Sequence, residues 1–180
     1  MQEIPVHCSF DKMVYTHKLI PHPQNPNMHP PEQVELLAEI IQVTGWRAPI
    51  TVSKRSGYIV KGHGRLMAAE KLGCEQVPVD YQDYENDSLE LADLMADNRV
   101  AELSEINKKK LLNLFEEFDT GEIPFSQSGY DEEYYKTLAH SFDEYERKQE
   151  EKKEEEEEDV EELEKIKLIK CPNCGQKIEV

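Results

Sequence analysis

The chain has 180 residues, 38% of them hydrophobic and 33% charged, against about 45–50% and 25% in ordinary globular proteins. Its net charge of −17 falls entirely beyond residue 80, because the first 80 residues hold equal numbers of acidic and basic side chains; averaged over its surface the chain has no electrostatic attraction for nucleic acid, and any such contact has to come from the N-terminal half. No apolar run nears the ~20 residues that cross a bilayer, no basic-then-apolar leader opens the chain, and four cysteines without a leader point to a reducing, cytoplasmic setting.

Val14 to Ile20 has the β-branched and aromatic character of a first strand. Pro21 to Pro30 carries four prolines and two histidines, which makes it an extended loop. Pro30 and Pro31 open a helix whose apolar face is Val34, Leu37, Ile40 and Ile41, closed by Gly45. Pro49–Ser53 and Tyr58–Lys61 read as two strands joined at Ser56-Gly57, hence a hairpin. A helix of strong formers follows from Leu66 to Leu72 and ends at Gly73. Val77–Tyr81 is a further strand, and Pro78 suggests the sheet edge. Helical patterns run from Leu89 to Arg99 and from Ser104 to Phe118, the latter opening on Ser104-Glu105-Ile106-Asn107, an imperfect capping box. A loop at 121–129 precedes a charged segment at 131–168, which reads as a solvated helix or a disordered linker. The implied organisation is a domain over 1–120, an acidic linker or long helix over 121–170, and a cysteine knuckle over 171–180.

The strongest chemical signal is Gly62-His63-Gly64-Arg65 between a strand and a helix. Glycines permit a sharp turn and close backbone approach, and the following helix aims its unpaired N–H groups at the turn. Arg65 offers a bidentate fork for phosphate oxygens, and His63 is placed to hydrogen-bond an anion or relay a proton. The spacing is that of neither a P-loop nor a dinucleotide fingerprint. The competing reading is a tight turn whose Arg65 pairs with a carboxylate.

In order along the chain come Asn25-Pro26-Asn27, the helix from Glu32 to Thr44, and Gly45-Trp46-Arg47-Ala48-Pro49-Ile50-Thr51-Val52. Then follow Tyr58-Ile59-Val60-Lys61-Gly62-His63-Gly64-Arg65-Leu66-Met67-Ala68-Ala69, Val77-Pro78-Val79 and Asp97-Asn98-Arg99. This series resembles the N-terminal domain of the ParB/sulfiredoxin superfamily over about residues 13–118. The resemblance implies an α+β fold, a small mixed sheet with packed helices, and a nucleotide site at the glycine–arginine turn. In ParB proteins the turn reads Gly-Glu-Arg-Arg and binds CTP with magnesium. In sulfiredoxins it reads Gly-Cys-His-Arg and the cysteine acts with ATP; related members phosphorylate serine, and others are nucleases. Here Gly62 and Arg65 match the outer positions. His63 replaces the Glu or Cys, which rules out sulfiredoxin chemistry, and Gly64 removes one phosphate contact. Asp97 and Asn98 resemble the Glu-Asn pair near the phosphates and metal, so Asp97 is a magnesium-ligand candidate, or else a cap or surface acid of its helix. Arg47 and Trp46 fall where family members line the pocket, although a lone tryptophan is more often core.

The DNA-reading helix-turn-helix domain of partition proteins has no counterpart in residues 104–180, and Lys108–Lys110 is a solvated face. Cys171-Pro172-Asn173-Cys174-Gly175 has the spacing of a zinc knuckle, which supplies two of four ligands; two knuckles sharing one ion would make a homodimer through the tail. The alternatives are an unligated tail and a redox pair. The resemblance implies a nucleotide-binding protein of phage or plasmid DNA metabolism, with ATP or CTP and magnesium at Arg47, Gly62, His63, Gly64, Arg65, Asp97 and Asn98. Catalysis, a triphosphatase or a nuclease step, would fall to His63 and Arg65, and Cys171 and Cys174 would bind zinc. The rival is a non-catalytic adaptor that recruits DNA-modification or replication partners, DNA being reached through a partner protein and no membrane being involved.

Overall fold

The computed structural model describes residues 4–118, 125–165, 168–170 and 177–179. Two compact units are present: Met1–Asn107 with Glu117–Asp131, and Lys108–Glu116 with Glu132–Val180. The sequence-based boundary at 120 falls inside the second segment of the first unit.

The first unit runs β1 (Lys12–Tyr15), a 3-10 turn (Thr16–Lys18), β2 (Ile20–Pro21), α1 (Pro31–Thr44), β3 (Ile50–Ser53), β4 (Tyr58–Lys61), α2 (His63–Lys71), β5 (Gln76–Gln82) and α3 (Asp87–Glu102). The five strands form one mixed sheet in the order β1-β5-β3-β4-β2. β1 with β5 and β3 with β4 are antiparallel; β5 with β3 and β4 with β2 are parallel. The fold is the α+β arrangement implied by the sequence.

Alternation assigns the faces. Ile50 and Val52 of β3 enter the main core with Val34, Ala38 and Ile41 of α1 and Leu66, Ala68 and Ala69 of α2. Ser53 turns the other way, to Glu90 of α3. The buried row of α1 is Val34, Ala38 and Ile41, whereas Leu37 and Ile40 are only partly buried. The small Ala38, Gly64 and Ala68 let α1 and α2 approach closely. β4 carries a bulge: Thr51 pairs with Lys61, but Val52 pairs with Ile59. Ile59 enters the main core and Val60, which is outside that cluster, is also buried; α3 packs on β4, and such bulges re-aim the strand end.

Three expectations change. The expected first strand breaks after Tyr15 into a 3-10 turn and the two-residue β2, because β1 pairs with β5 at one edge while β2 pairs with β4 at the other. β5 lies inside the sheet, not at its edge. Pro78 is tolerated because it stands one residue before the parallel ladder to β3, which begins with Ile50 opposite Val79. Residues 104–107 are not helical; α4 (Lys108–Phe118) starts after Asn107, itself a favourable capping residue.

In the first unit, Phe118 and Phe125 meet edge to face at 6.3 Å, and the 3-10 turn Phe125–Ser128 packs on α1. In the second, α5 (Glu132–Lys165) is a 34-residue helix, and Phe115 of α4 meets Tyr135 edge to face at 5.7 Å. β6 (Leu168–Lys170) and β7 (Lys177–Glu179) form an antiparallel pair. Cys171 and Cys174 lie outside the described residues. No helix among the described residues is long and apolar enough to cross a membrane.

The N-terminal segment is tied down at Gly45, where Trp46 N–H donates to Pro5 C=O (2.8 Å) and His7 N–H to Trp46 C=O (2.9 Å). Gly45 has φ 74°, and a Cβ there would lie 2.6 Å from the Pro5 oxygen and 2.8 Å from a carbon of the His7 ring. Gly57, at φ 78°, has nothing within 4 Å of that position. Gly57→Ala therefore reports the backbone cost alone, about 1 kcal/mol. Gly45→Ala is expected to cost at least ~2 kcal/mol, with the clash added. Urea unfolding of the two variants checks this; equal midpoints would show that the N-terminal segment yields without cost.

Candidate functional site

β4 ends at Lys61 and the chain enters α2 through Gly62, at φ 94° and ψ 26°. The dihedral requires glycine, and a Cβ there would lie 2.8 Å from Arg65 Nη1 and so displace the guanidinium. Arg65 folds back over this glycine and its Nη1 donates to Pro49 C=O at 2.8 Å. Its structural partner is thus a carbonyl rather than the carboxylate of the competing sequence reading. No described residue accepts from its Nε or Nη2. Burial lowers the guanidinium's pKa, while the Asp97 carboxylate acts in the opposite direction.

The first turn of α2 is a donor array. The ladder starts with Leu66 N–H to Gly62 C=O (3.0 Å), and no side chain caps the helix, so the N–H groups of His63, Gly64 and Arg65 precede the ladder. Gly64 has a second reason to be glycine: a Cβ would stand 3.3 Å from the His29 ring and 3.5 Å from Leu37 Cδ2. Its missing side chain makes room for α1 and the histidine loop.

Because β2 runs parallel to β4 (Ile20 opposite Tyr58, Pro21 opposite Ile59), the residue after β2 arrives beside the end of β4. That residue is His22, and its main-chain N–H donates to His63 Nε2 at 3.2 Å. An imidazole nitrogen that accepts carries no proton, so the His63 proton sits on Nδ1. Burial, then His29 and His22, pull the His63 pKa down to about 4. His63 is therefore a neutral ring near pH 7 with one N–H to donate, not a cation.

Beneath the turn lies a buried polar cluster. The Glu90 carboxylate of α3, 3% exposed, accepts from Ser53 Oγ (2.7 Å) and Ser56 Oγ (2.5 Å). The His22 Nε2 is 3.6 Å from its Oε1. Ser53 Oγ in turn accepts from the N–H groups of Arg55 and Ser56, tying the hairpin to α3.

Asp93 and Asp97, one turn apart on α3, both face Lys61, at 2.9 and 3.8 Å. Tyr84 Oη donates to Asp93 at 2.8 Å. Burial pushes the Asp93 carboxyl upward, but Lys61 and Tyr84 outweigh it and hold it below the usual value. Burial and Asp93 raise the Tyr84 phenol well above its ordinary value. Asp97 thus joins Gly62, His63, Gly64 and Arg65 at one end of the sheet. Asn98 follows it on α3, its side chain outside the described residues. Arg47 is exposed, and its Nε donates to Thr44 C=O at the end of α1 (2.9 Å). Trp46 is core, 2% exposed. A cleft of about 430 Å³ lined by residues including His17, Glu70 and Cys74 lies at the far end of α2 and holds none of these side chains. Among the described residues, no group of three or more His, Cys, Asp or Glu converges as a metal site.

Sequence reading missed Lys61, His22, Glu90 and Asp93. Two signals were present: Pro21-His22-Pro23, where one N–H stands between two prolines, and the i, i+4 spacing of Asp93 and Asp97.

A family model for the ParB N-terminal domain matches residues 8–105. The ParB-like nuclease domain-containing protein YnaK of Escherichia coli strain K12 is 43% identical over 70 residues, covering 38% of this chain and 79% of that protein. Among solved structures, the C-terminally truncated chromosome-partitioning protein ParB from Caulobacter crescentus, complexed with CTP-gamma-S, is 22% identical with a TM-score of 0.49, over 58% of this chain and 60% of that one. A free serine kinase in complex with AMP is 25% identical with a TM-score of 0.37, over 48% and 36%. The chain thus spans less than two thirds of the length of either solved structure. The family match runs from just before β1 to the end of α3 and takes in the whole glycine turn, over more than half of the sequence. The chain belongs to the ParB N-terminal domain family.

Proposed function

We propose that the chain binds a nucleoside triphosphate, ATP or CTP, with magnesium at the Gly62–Arg65 turn. The observation that carries this reading is Arg65: one N–H anchors it to Pro49, and the remaining fork lies beside the donor-rich start of α2. Oriented guanidinium N–H groups and a helix N-terminus are both suited to phosphate oxygens. Gly62 and Gly64 keep the backbone bare there, and His63 adds a neutral donor.

Electrostatics supports a metal partner. Lys61 and Arg65 are the cations at the turn, and Asp93 and Asp97 balance them. A bound triphosphate would then leave a large uncompensated negative charge. Magnesium is bound by one or two carboxylates together with substrate phosphates, and the exposed Asp97, held loosely by Lys61, fits that role. When bound, the ion would screen the phosphates and polarise them for attack. DNA contact, on this reading, is made through a partner protein.

Titration with ATP, CTP, GTP and UTP, each with magnesium, tests the proposal. Saturable binding supports it, product release adds turnover, and no binding to any of the four overturns it in favour of the adaptor reading. A metal-dependent nuclease is the second reading, favoured by the relative YnaK's description. Nicking of plasmid DNA that is lost in Asp97→Asn would select it.

Arg65→Ala removes charge-assisted hydrogen bonds worth ~1.5–3 kcal/mol and is expected to weaken binding roughly ten- to a hundredfold. Arg65→Lys restores only part, since an ammonium cannot make the planar fork. The lost bond to Pro49 also lowers stability, by about 1 kcal/mol. Calorimetry and melting temperature on one preparation separate the two effects; a destabilised variant with wild-type affinity sinks the phosphate-site reading.

His63 yields a pH signature. Its folded pKa, about 4, lies below the ordinary 6.5, so between these values the unfolded chain binds the extra proton. Stability contributed by neutral His63 is therefore full above pH 6.5 and is lost as pH falls toward 4. The expected result is a flatter stability profile over pH 4–6.5 for His63→Gln than for wild type, read by urea unfolding. Parallel profiles would show that His63 titrates normally in the fold.

A further inference from the structure

We infer that Glu90 and His22 are positioning residues for His63, clamping the main-chain N–H of His22 so that the His63 ring is held as the Nδ1–H tautomer. The argument starts from the sequence Pro21-His22-Pro23. Proline has no N–H, so His22 supplies the single backbone donor of that tripeptide, and it is spent on His63 Nε2.

The His22 ring is fixed from three sides. Its Nδ1 accepts from Gln24 N–H at 3.1 Å, which leaves the proton on Nε2. That nitrogen faces Glu90 Oε1 at 3.6 Å. The ring also meets Tyr58 edge to face, centroids 5.3 Å apart at 71°. Glu90 is itself immobilised by Ser53 and Ser56. A carboxylate 3% exposed is an expensive way to join α3 to a hairpin, since an apolar contact of similar volume would serve stability as well or better. What it adds is direction. The two serine hydroxyls hold Glu90 against the His22 ring, the ring fixes its own peptide, and the peptide N–H selects which nitrogen of His63 carries the proton. No described residue accepts from that Nδ1–H.

The tautomer half of this inference stands on geometry alone; its consequence for ligand rests on the phosphate-site reading. The experiment uses the full chain, ¹⁵N-labelled at histidine, with two-bond ¹H–¹⁵N correlations to read each tautomer. His22→Ala, which keeps the backbone N–H but cuts the link to Glu90, is the second variant beside Glu90→Gln and serves alone if Glu90→Gln loses cooperative unfolding. The expected result is a pure Nδ1–H form of His63 in wild type and a mixture of tautomers in the variants. Affinity for ATP or CTP with magnesium then falls three- to tenfold, while Arg65 still contributes its full effect. A single unchanged His63 tautomer in the variants overturns the clamp, as does a wild-type His63 protonated on Nε2. Tautomer loss with unchanged affinity overturns its functional half. Tautomer loss in a protein that binds no nucleotide at all leaves the clamp standing and removes the phosphate-site reading instead.

Discussion

The site depends on one backbone conformation, the left-handed Gly62 between β4 and α2. With φ at 94° the chain reverses in a single residue, and Arg65, three positions later, comes back across the glycine to the Pro49 carbonyl. The turn is thus closed by its own arginine. The same reversal directs the first N–H groups of α2 to the sheet end where β2 delivers His22 and α3 delivers Asp97. The register shift at Val60 precedes the strand end, where Lys61 stands against the two aspartates.

Charge at this end of the molecule is arranged in near balance. Of the acidic excess, Asp93 and Asp97 both meet Lys61, and Glu90 lies buried beneath the turn. Arg65 keeps its charge in a half-buried place, at some cost to its basicity. His63, through burial and two neighbouring imidazoles, adds none. An anion arriving there would meet directed N–H dipoles and one guanidinium, a combination that favours shape and orientation over long-range attraction.

Much of the fold was legible in the sequence where a local rule governed. Pro31 and Gly45 bracket α1 as their dihedral preferences require, and the Ser56-Gly57 turn marks the β3–β4 hairpin. Gly62-His63-Gly64-Arg65 stood out because glycine, arginine and a helix start coincide. What was hidden depended on pairing across distance. Whether Pro78 falls at an edge is decided by the register of β3, which begins one residue later. The break after Tyr15 reflects two strands bound to opposite edges of one sheet. Ser53 and Glu90 are 37 positions apart, and neither residue signals the other. Arg47 read as a site residue from the family resemblance, and its bond to Thr44 C=O at the end of α1 is a contact that no local pattern announces.

The strand that brings His22 to the turn is two residues long and lies at an edge of the sheet. So short a ladder has few backbone bonds to lose, and local opening free energies in proteins run from near zero at such margins to the global value in the core. Detachment of Ile20 and Pro21 from β4 would carry away the peptide that His63 Nε2 leans on, yet leave Gly62, Arg65 and the Pro49 carbonyl in place. The histidine half of the turn thus hangs on a two-residue edge strand together with the contacts of the His22 ring, and the arginine half on the core. Hydrogen exchange would sense the two halves on separate timescales.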